Sequence, residues 1–402
     1  MRILFVHNRY QQAGGEDSVV QAEIELLRSR GHQVTLFEEN NDGIVGLINA
    51  ASTAVESVYS FPAARAVGHR IDSFRPDIVH VHNFFPRISP SVHYACSDKK
   101  VPVVQTLHNY RLLCPSATFM RNGAVCEDCL GKAIPLPAVK NSCYHSSKLA
   151  TAAVANMLAI HRGLHTWSRK VSRFIALTDF ARNKFIAGGL PGDRIVIKPN
   201  FVNLDNGVGA GAGGYALFVG RLSEEKGIAT LLEAWKRIHG HVRLKIAGDG
   251  PLAPLVRAAV STTPGVEWLG ACTRGEVSRL MADAAFLVFP SIWYETFGMS
   301  IIEGLSAGLP VLASRLGAMA ELISDGQTGR LFAAGSSDDL AAAIDWALAN
   351  PEALKSMRLK ARREFEEKYT AESNYVQLIE IYQDAMEAEV ASQQVKDYAL
   401  QN

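Results

Sequence analysis

The chain is expected to fold as an α/β protein of two doubly wound, Rossmann-like domains facing each other across a cleft. Three observations lead there. Short apolar runs rich in Val, Ile, Leu and Phe alternate with helix-like segments along all 402 residues, the pattern of parallel sheets covered on both faces. A Gly/Ala tract at 206–214 interrupts that alternation midway and has little to pack, as a linker would. The length allows roughly two or three full cores, and a chain that is 48% hydrophobic and 20% charged has a globular composition.

In chain order, the first half places strands at 3–7, 34–37, 78–82, 101–108, 174–177 and 195–198. The second half places them at 216–219, 244–247, 266–269, 286–289 and 311–313. The domains then read as 1–205, which carries a cysteine-rich loop at 114–145, a linker at 206–214, and a second domain at 215–370. The tail at 371–402 is amphipathic and helical with no strand partner, so it is expected to pack back on the first domain. The opening run is too short and too soon polar for a signal peptide. The most apolar helix candidate, 149–160, is too short to cross a bilayer and reads as buried or interfacial. A cytoplasmic protein with reduced cysteines is expected. Contact with the inner face of a membrane is open to it through 149–170, which carries His161, Arg162, Arg169 and Lys170. Formal net charge is +1, which gives no bulk attraction for nucleic acid.

Ligands of open α/β sheets lie at strand C-terminal ends, so residues there are the site candidates. After the first strand, Gly14-Gly15 allows close backbone approach just before a helix begins near Asp17; the other reading is a loop that needs positive φ. The run lacks the spacing of a dinucleotide fingerprint. His80, His82 and His108 end strands on the same edge. His80 reads as structural, whereas His108 is followed by Asn109, Tyr110 and Arg111 and could donate a hydrogen bond to a sugar hydroxyl or a departing phosphate. Cys114, Cys126, Cys129 and Cys143 fall within thirty residues, with C-x2-C spacing inside the set. That suits a structural zinc held by four thiolates, His145 being a substitute ligand; unpaired thiols or a redox pair are the other readings.

In the second half, Gly220-Arg221 and Lys226 follow a strand, with the two cations five residues apart around a turn so that both can point at one anion. Gly248, in a Gly-Asp-Gly-Pro turn, and Leu269 end the next two strands and could border a nucleotide. The densest stretch is 290–310. Glu295 and Glu303 lie eight residues apart, which is roughly 12 Å at helical rise, too far to share one proton. Between them, the backbone N–H groups around Phe297, Gly298 and Met299 open a helix and favour phosphate. One acid at each end of a diphosphate matches a sugar nucleotide.

Taken together, these residues resemble the retaining glycosyltransferases of family four, which have the two-domain GT-B fold. The resemblance covers nearly the whole chain and rests on Gly220-Arg221, Glu225-Lys226-Gly227, Ala247 to Pro251, Glu295-x7-Glu303 with Phe297-Gly298, and Gly304 through Pro310. It implies that Arg221 and Lys226 bind the diphosphate, Glu295 the donor sugar, Glu303 the ribose, and the backbone of Phe297 to Ser300 the phosphates and sugar. Gly14-Gly15 matches the family's glycine loop and His108 its histidine near the donor sugar. The stretch at 107–115 resembles a cysteine-containing subset. The implied donor is a UDP- or GDP-linked sugar, the acceptor a glycan or lipid-linked hydroxyl, and the chemical step needs no cofactor. A non-hydrolysing sugar-nucleotide epimerase, or a non-catalytic nucleotide-sugar-binding partner in a glycan assembly complex, are the competing readings.

Overall fold

Buried runs of Ile, Leu, Val and Phe become parallel strands in the computed structural model, which describes residues 1–9, 14–41, 53–203, 205, 207–238 and 240–401. The first part of the chain runs β1 (Arg2–Arg9), α1 (Gly15–Ser29), β2 (Gln33–Asn40), α2 (Phe61–Phe74), β3 (Ile78–Asn83), α3 (Ser91–Asp98) and β4 (Val103–Thr106). A small antiparallel hairpin follows, β5 (Met120–Arg121) and β6 (Ala124–Val125). Then come α4 (Leu136–Lys140), α5 (Lys148–Gly163), α6 (Thr166–Lys170), β7 (Arg173–Ala176), α7 (Asp179–Ala187) and β8 (Ile195–Ile197). These strands form one six-stranded sheet in the order β2-β1-β3-β4-β7-β8, all pairs parallel.

The second part runs β9 (Tyr215–Val219), α8 (Ile228–Ile238), β10 (Arg243–Ala247), α9 (Ala253–Thr262), β11 (Val266–Gly270), α10 (Arg274–Asp283) and β12 (Phe286–Phe289). It continues through α11 (Met299–Ser306), β13 (Val311–Ser314), α12 (Ala318–Leu322), β14 (Gly329–Phe332), α13 (Ser337–Ala349), α14 (Pro351–Lys368) and α15 (Ala371–Gln401). Its sheet order is β11-β10-β9-β12-β13-β14, again all parallel. This is the doubly wound order in which consecutive strands step outward in one direction from β9 and then in the other from β12. The core of this unit gathers Phe218, Leu231, Trp235, Leu244, Phe286 and Ile344.

The chain separates into two units: Met1–Phe119, Glu127–Pro199 and the stretch from Asn374 onward in one, Met120–Cys126 and Asn200–Ser373 in the other. The hairpin of the cysteine-rich loop therefore groups with the second unit rather than the first. Within the first unit, Leu378, Ile381, Tyr382 and Ala385 of α15 join Ile3, Phe5, Ile24 and Val104 in one core, which explains the amphipathic pattern of the tail. The Gly/Ala tract departs from its expected freedom. Asn206 lies outside the described residues, but Gly209, Gly211 and Gly213 donate backbone hydrogen bonds to Ala307, Ala282 and Asp283. Arg358 also bonds the Gly209 carbonyl at 2.8 Å. The tract is laid against the second unit, and glycine is needed there because a Cβ at Gly209 would fall 2.1 Å from the Ala282 oxygen. The strand expected at 101–108 is shorter, since pairing continues only through Leu107 N–H to Ile175 before the chain turns at His108. No helix among the described residues is long and apolar enough to cross a membrane.

Candidate functional site

In the second sheet the order reverses between β9 and β12, and the C-terminal ends of strands at such a point are where open α/β sheets bind ligands. The loop after β9 holds Gly220 to Lys226 and the loop after β12 holds Pro290 to Glu295. Gly227 lets the two loops touch. Its φ is 72°, and a Cβ there would lie 1.9 Å from the Pro290 oxygen. The Ile292 N–H donates to the Glu225 carbonyl at 2.9 Å across the same contact.

This clasp fixes Lys226 Nζ 2.6 Å from Glu295 Oε1, which also accepts from Ser291 Oγ at 2.8 Å. Glu295 is buried, and the Lys226 ammonium lies 5.7 and 5.5 Å from the ring centres of Phe289 and Trp293. Lys226 is thus held on Glu295, a contact the sequence did not suggest. Arg221 stays exposed on the loop.

Glu303 presents a different chemistry. It sits one turn into α11, half-buried, and its carboxylate meets no hydrogen-bond donor among the described residues. Burial pushes it up to about 7, with Arg274 only partly opposing. A desolvated acceptor of this kind is satisfied by hydroxyl donors from a ligand. Gly298 caps α11 without a side-chain bond, so the helix's leading N–H groups, at Met299 and Ser300, have no intrahelical acceptor. Ser300 Oγ ties the helix start to the end of β9 through the Val219 carbonyl at 3.3 Å. Only residues from Met299 onward are helical, so Glu295 precedes the helix and helical rise does not measure its separation from Glu303. Phe297 is buried and packs edge-on to Tyr369, which gives its side chain a structural task.

The glycine at 248 has a reason within the protein. At φ 148° a Cβ would stand 1.9 Å from the Gly220 oxygen, so Gly248 lets two strand-end turns pass closely. Trp268 Nε1 donates to the Gly248 carbonyl at 2.9 Å, and Leu269 remains half-exposed at the end of β11.

In the first unit, residues 10–13 of the glycine loop lie outside the described residues. Gly14 opens α1 with φ −125°, and its N–H donates to Asp17 Oδ2 at 2.8 Å. A Cβ at Gly14 would meet nothing within 4 Å. Neither positive φ nor internal packing demands glycine there. His7 Nε2 pairs with Asp17 Oδ1 at 2.7 Å, and although burial pushes the Asp17 carboxyl upward, the His7 and Gly14 hydrogen bonds hold it below the ordinary range.

Behind this edge lies a buried polar chain. His108 Nε2 is 2.8 Å from His82 Nδ1, and His82 Nε2 faces Glu23 Oε2 at 3.4 Å. Glu23 Oε1 binds Lys198 Nζ at 2.7 Å, with both side chains 1% exposed. His80 bonds Tyr382 through Nδ1 and Thr106 through Nε2, each at 2.8 Å. Burial, reinforced by the neighbouring imidazoles and Lys198, keeps His80 and His82 far below the usual histidine range and brings His108 to about 3. All three are therefore neutral near pH 7. Burial also pushes Glu23 upward, but the charge and hydrogen bond of Lys198 oppose it and the carboxyl stays below the ordinary range.

The contact between His82 Nδ1 and His108 Nε2 needs one proton between two neutral rings, which either imidazole can supply. His108 lines a pocket with Phe85, Thr106, Asn109 and Arg111. Glu23, His80 and His82 bring three ligand atoms within 4.8 Å of one another, but Lys198 already supplies the cation and both His80 nitrogens are committed.

The cysteines do not gather as expected. None forms a disulfide; Cys114 and Cys129 are buried, while Cys126 and Cys143 are half-exposed. No three of their sulfurs converge to metal-ligand distance among the described residues. Cys114 Sγ instead contacts Ser116 Oγ at 3.1 Å. The sequence reading also passed over Glu23, Lys198 and Tyr382. Glu23 was detectable as a charge on the buried Val19–Leu27 stripe of α1, and Lys198 as a charge closing an apolar strand.

Comparison with known proteins fits this geometry. Residues 13–206 match the family described as Glycosyltransferase Family 4, and residues 213–350 match Glycosyl transferases group 1. A phosphatidyl-myo-inositol mannosyltransferase of Mycobacterium leprae is 31% identical over 238 residues, covering 56% of this chain and 63% of that protein. An uncharacterized glycosyltransferase of Methanocaldococcus jannaschii is 31% identical over 194 residues, covering 48% and 54%. The chain thus spans a little over half the length of these curated relatives. Among solved structures, sucrose-phosphate synthase from Thermosynechococcus elongatus superposes with a TM-score of 0.71 at 18% identity, covering 96% of this chain and 99% of that one. Anabaena HepE in complex with UDP and glucose gives 0.67 at 17%, covering 94% and 98%. At such identities the structures speak to the fold alone, which is GT-B.

Proposed function

Because the chain belongs to the glycosyltransferases of family 4, group 1, we propose that it moves a hexosyl unit from a nucleotide diphosphate sugar to an acceptor hydroxyl with retention of anomeric configuration. The observation that carries this reading is the pairing of two unlike acids around one helix start. Glu303 is desolvated and without a donor among the described residues, and Glu295 is paired with Lys226 at 2.6 Å. Glu303 accepts the ribose hydroxyls, and the Met299 and Ser300 N–H groups take the diphosphate. Lys226 and Arg221 offset its charge. Glu295, held in place by Lys226 and Ser291, accepts from sugar hydroxyls. In the first unit, Gly14, Gly15 and His108 are the residues that the family pattern assigns to the donor.

In the transfer, the acceptor oxygen forms a bond to the anomeric carbon as the bond from that carbon to the phosphate oxygen breaks. The acceptor proton passes to the departing phosphate, giving a glycoside and a nucleoside diphosphate. Negative charge grows on the leaving group, so preorganised cations and helix N–H groups stabilise the transition state more than the ground state. The chemical step calls for no cofactor. UDP bound in the Anabaena structure makes a UDP-linked hexose the first donor to test, with GDP-linked hexoses second. A glycan or lipid-linked hydroxyl is the acceptor class, and bacterial polysaccharide or glycolipid assembly the setting.

The test is nucleoside diphosphate release from a panel of UDP- and GDP-hexoses with and without a pool of glycan and polyprenyl-linked acceptors. Acceptor-dependent release and a product with the donor's anomeric configuration are expected. Conversion of the donor to an epimer without acceptor would overturn the reading in favour of an epimerase.

A further inference from the structure

We propose that the face built by α4 and α5 in the first unit docks on an anionic lipid surface. The inference begins with the sequence. Between Asp128 and Asp179 there is no Asp or Glu, while seven Lys and Arg residues fall in that interval, in a chain whose charges otherwise balance at 41 to 40. Such local asymmetry is the electrostatic signature of an anionic partner.

The structure shows which of those charges are available. Arg162 is spent inside the fold on the carbonyls of Leu112 and Lys132, and Arg173 on Asp384. Lys170 lies over the Tyr94 ring and bonds Ser97. Lys132, Lys140, Lys148 and Arg169 remain exposed, with no acidic partner among the described residues.

The same face is apolar where solvent touches it. At 100° per residue, positions 149, 153, 156, 160 and 164 along α5 and its C-cap fall within about 80° of one another. They carry Leu149, which is 86% exposed, Ile160, 38%, and Leu164, 55%, with Ala153 and one exposed polar residue, Asn156, between them. The opposite side of α5 holds Thr151, Val154, Leu158 and His161 in the core. A helix apolar on both sides has one face too many for a solvated surface. Beside it, Ile134 and Leu136 at the start of α4 are 53% and 63% exposed. The Arg162 bond to the Lys132 carbonyl and the Cys143 N–H bond to Ala138 hold α4 and its flanking loop in place.

Exposed leucine and isoleucine on segments that also carry exposed lysine with no acidic partner among the described residues is the composition of a surface that lies in a lipid headgroup layer, with aliphatic side chains entering the acyl boundary and ammonium groups at the phosphates. A second copy of this chain is a poor occupant, because face-to-face pairing would set four unneutralised cations against four more. The proposal does not depend on the donor site, so its failure and that of the transfer reaction are separable.

Sedimentation of the full chain with vesicles of phosphatidylcholine, and with vesicles that also contain phosphatidylglycerol, tests it. Binding is expected only to the second kind and should weaken as salt is raised. Lys140→Ala with Lys148→Ala should lower partitioning by about fivefold per lysine. Leu136→Ser with Leu149→Ser should lower it by about tenfold with the melting temperature unchanged, since these side chains are exposed. Absence of binding to either vesicle, equal binding to both, or variants that bind like the wild type would overturn the proposal. So would a dimer, measured by light scattering, that the Leu149→Ser change dissolves, because it would assign the face to a second copy.

Discussion

Glu303→Gln separates the cost of the donor site from its use. Its carboxyl is held at about 7 against an ordinary 4.5, chiefly by burial. At about 1.4 kcal/mol per tenfold change in proton affinity, that difference corresponds to about 3 kcal/mol. The folded-state value is the higher one. Below pH 4.5 both folded and unfolded chains hold the proton and no penalty exists. As pH rises from 4.5 toward 7, the unfolded chain releases its proton first and stability falls. Above pH 7 the full penalty, about 3 kcal/mol, is present. Glutamine keeps the shape and carries no charge to desolvate. The variant should therefore match the wild type near pH 4.5 and exceed it by about 3 kcal/mol at pH 8, which is about 6–12 °C in melting temperature for a unit of this size. Calorimetry at the two pH values reads this directly. A glutamine variant that is no more stable at pH 8, or is equally stabilised at both pH values, refutes the reasoning. The same variant should bind nucleoside diphosphate at least about tenfold more weakly, since an amide is a poorer acceptor than a carboxylate. A residue that destabilises the free protein and strengthens the complex is the mark of a binding group.

Lys226→Ala should reduce turnover by about a hundredfold or more while costing only about 1–2 kcal/mol of stability, because the Lys226–Glu295 pair is partly exposed; turnover within a factor of a few of wild type would remove Lys226 from the diphosphate site. Gly14→Ala and Gly248→Ala should behave oppositely. The first meets open space and should leave the melting temperature unchanged while weakening nucleotide binding; the second meets the Gly220 oxygen and should cost about 3 kcal/mol. Equal thermal effects would contradict that distinction. The buried imidazoles are held neutral, so the unfolded chain takes up protons first as pH falls below about 6.5, and the first unit should lose stability from there downward.

What could be read from the sequence followed the strength of the local signal. Continuous apolar runs such as 286–289 identified strands because both faces of a parallel sheet are buried. β14 escaped because it begins at a glycine and contains Arg330. The acids at 295 and 303 were visible as a pair, but not the contact between Lys226 and Glu295, which depends on Gly227 reaching Pro290. The Gly/Ala tract looked free because composition does not reveal the carbonyls at 282, 283 and 307 that receive its amides. Glu23 and Lys198 are 175 residues apart, and nothing short of the sheet order brings them together. The cysteine spacing was compatible with zinc, yet spacing alone could not show whether the four sulfurs converge.

The central claim is that the end of β9 and the start of α11 hold a nucleoside diphosphate. Calorimetric titration of the full chain with UDP and GDP tests it most directly. The account expects saturable binding of one of them at one site per chain, weakened at least about tenfold by Glu303→Ala and by Lys226→Ala in proteins that remain folded. Binding that both variants leave unchanged, or no binding of either nucleotide to the wild type, would contradict it.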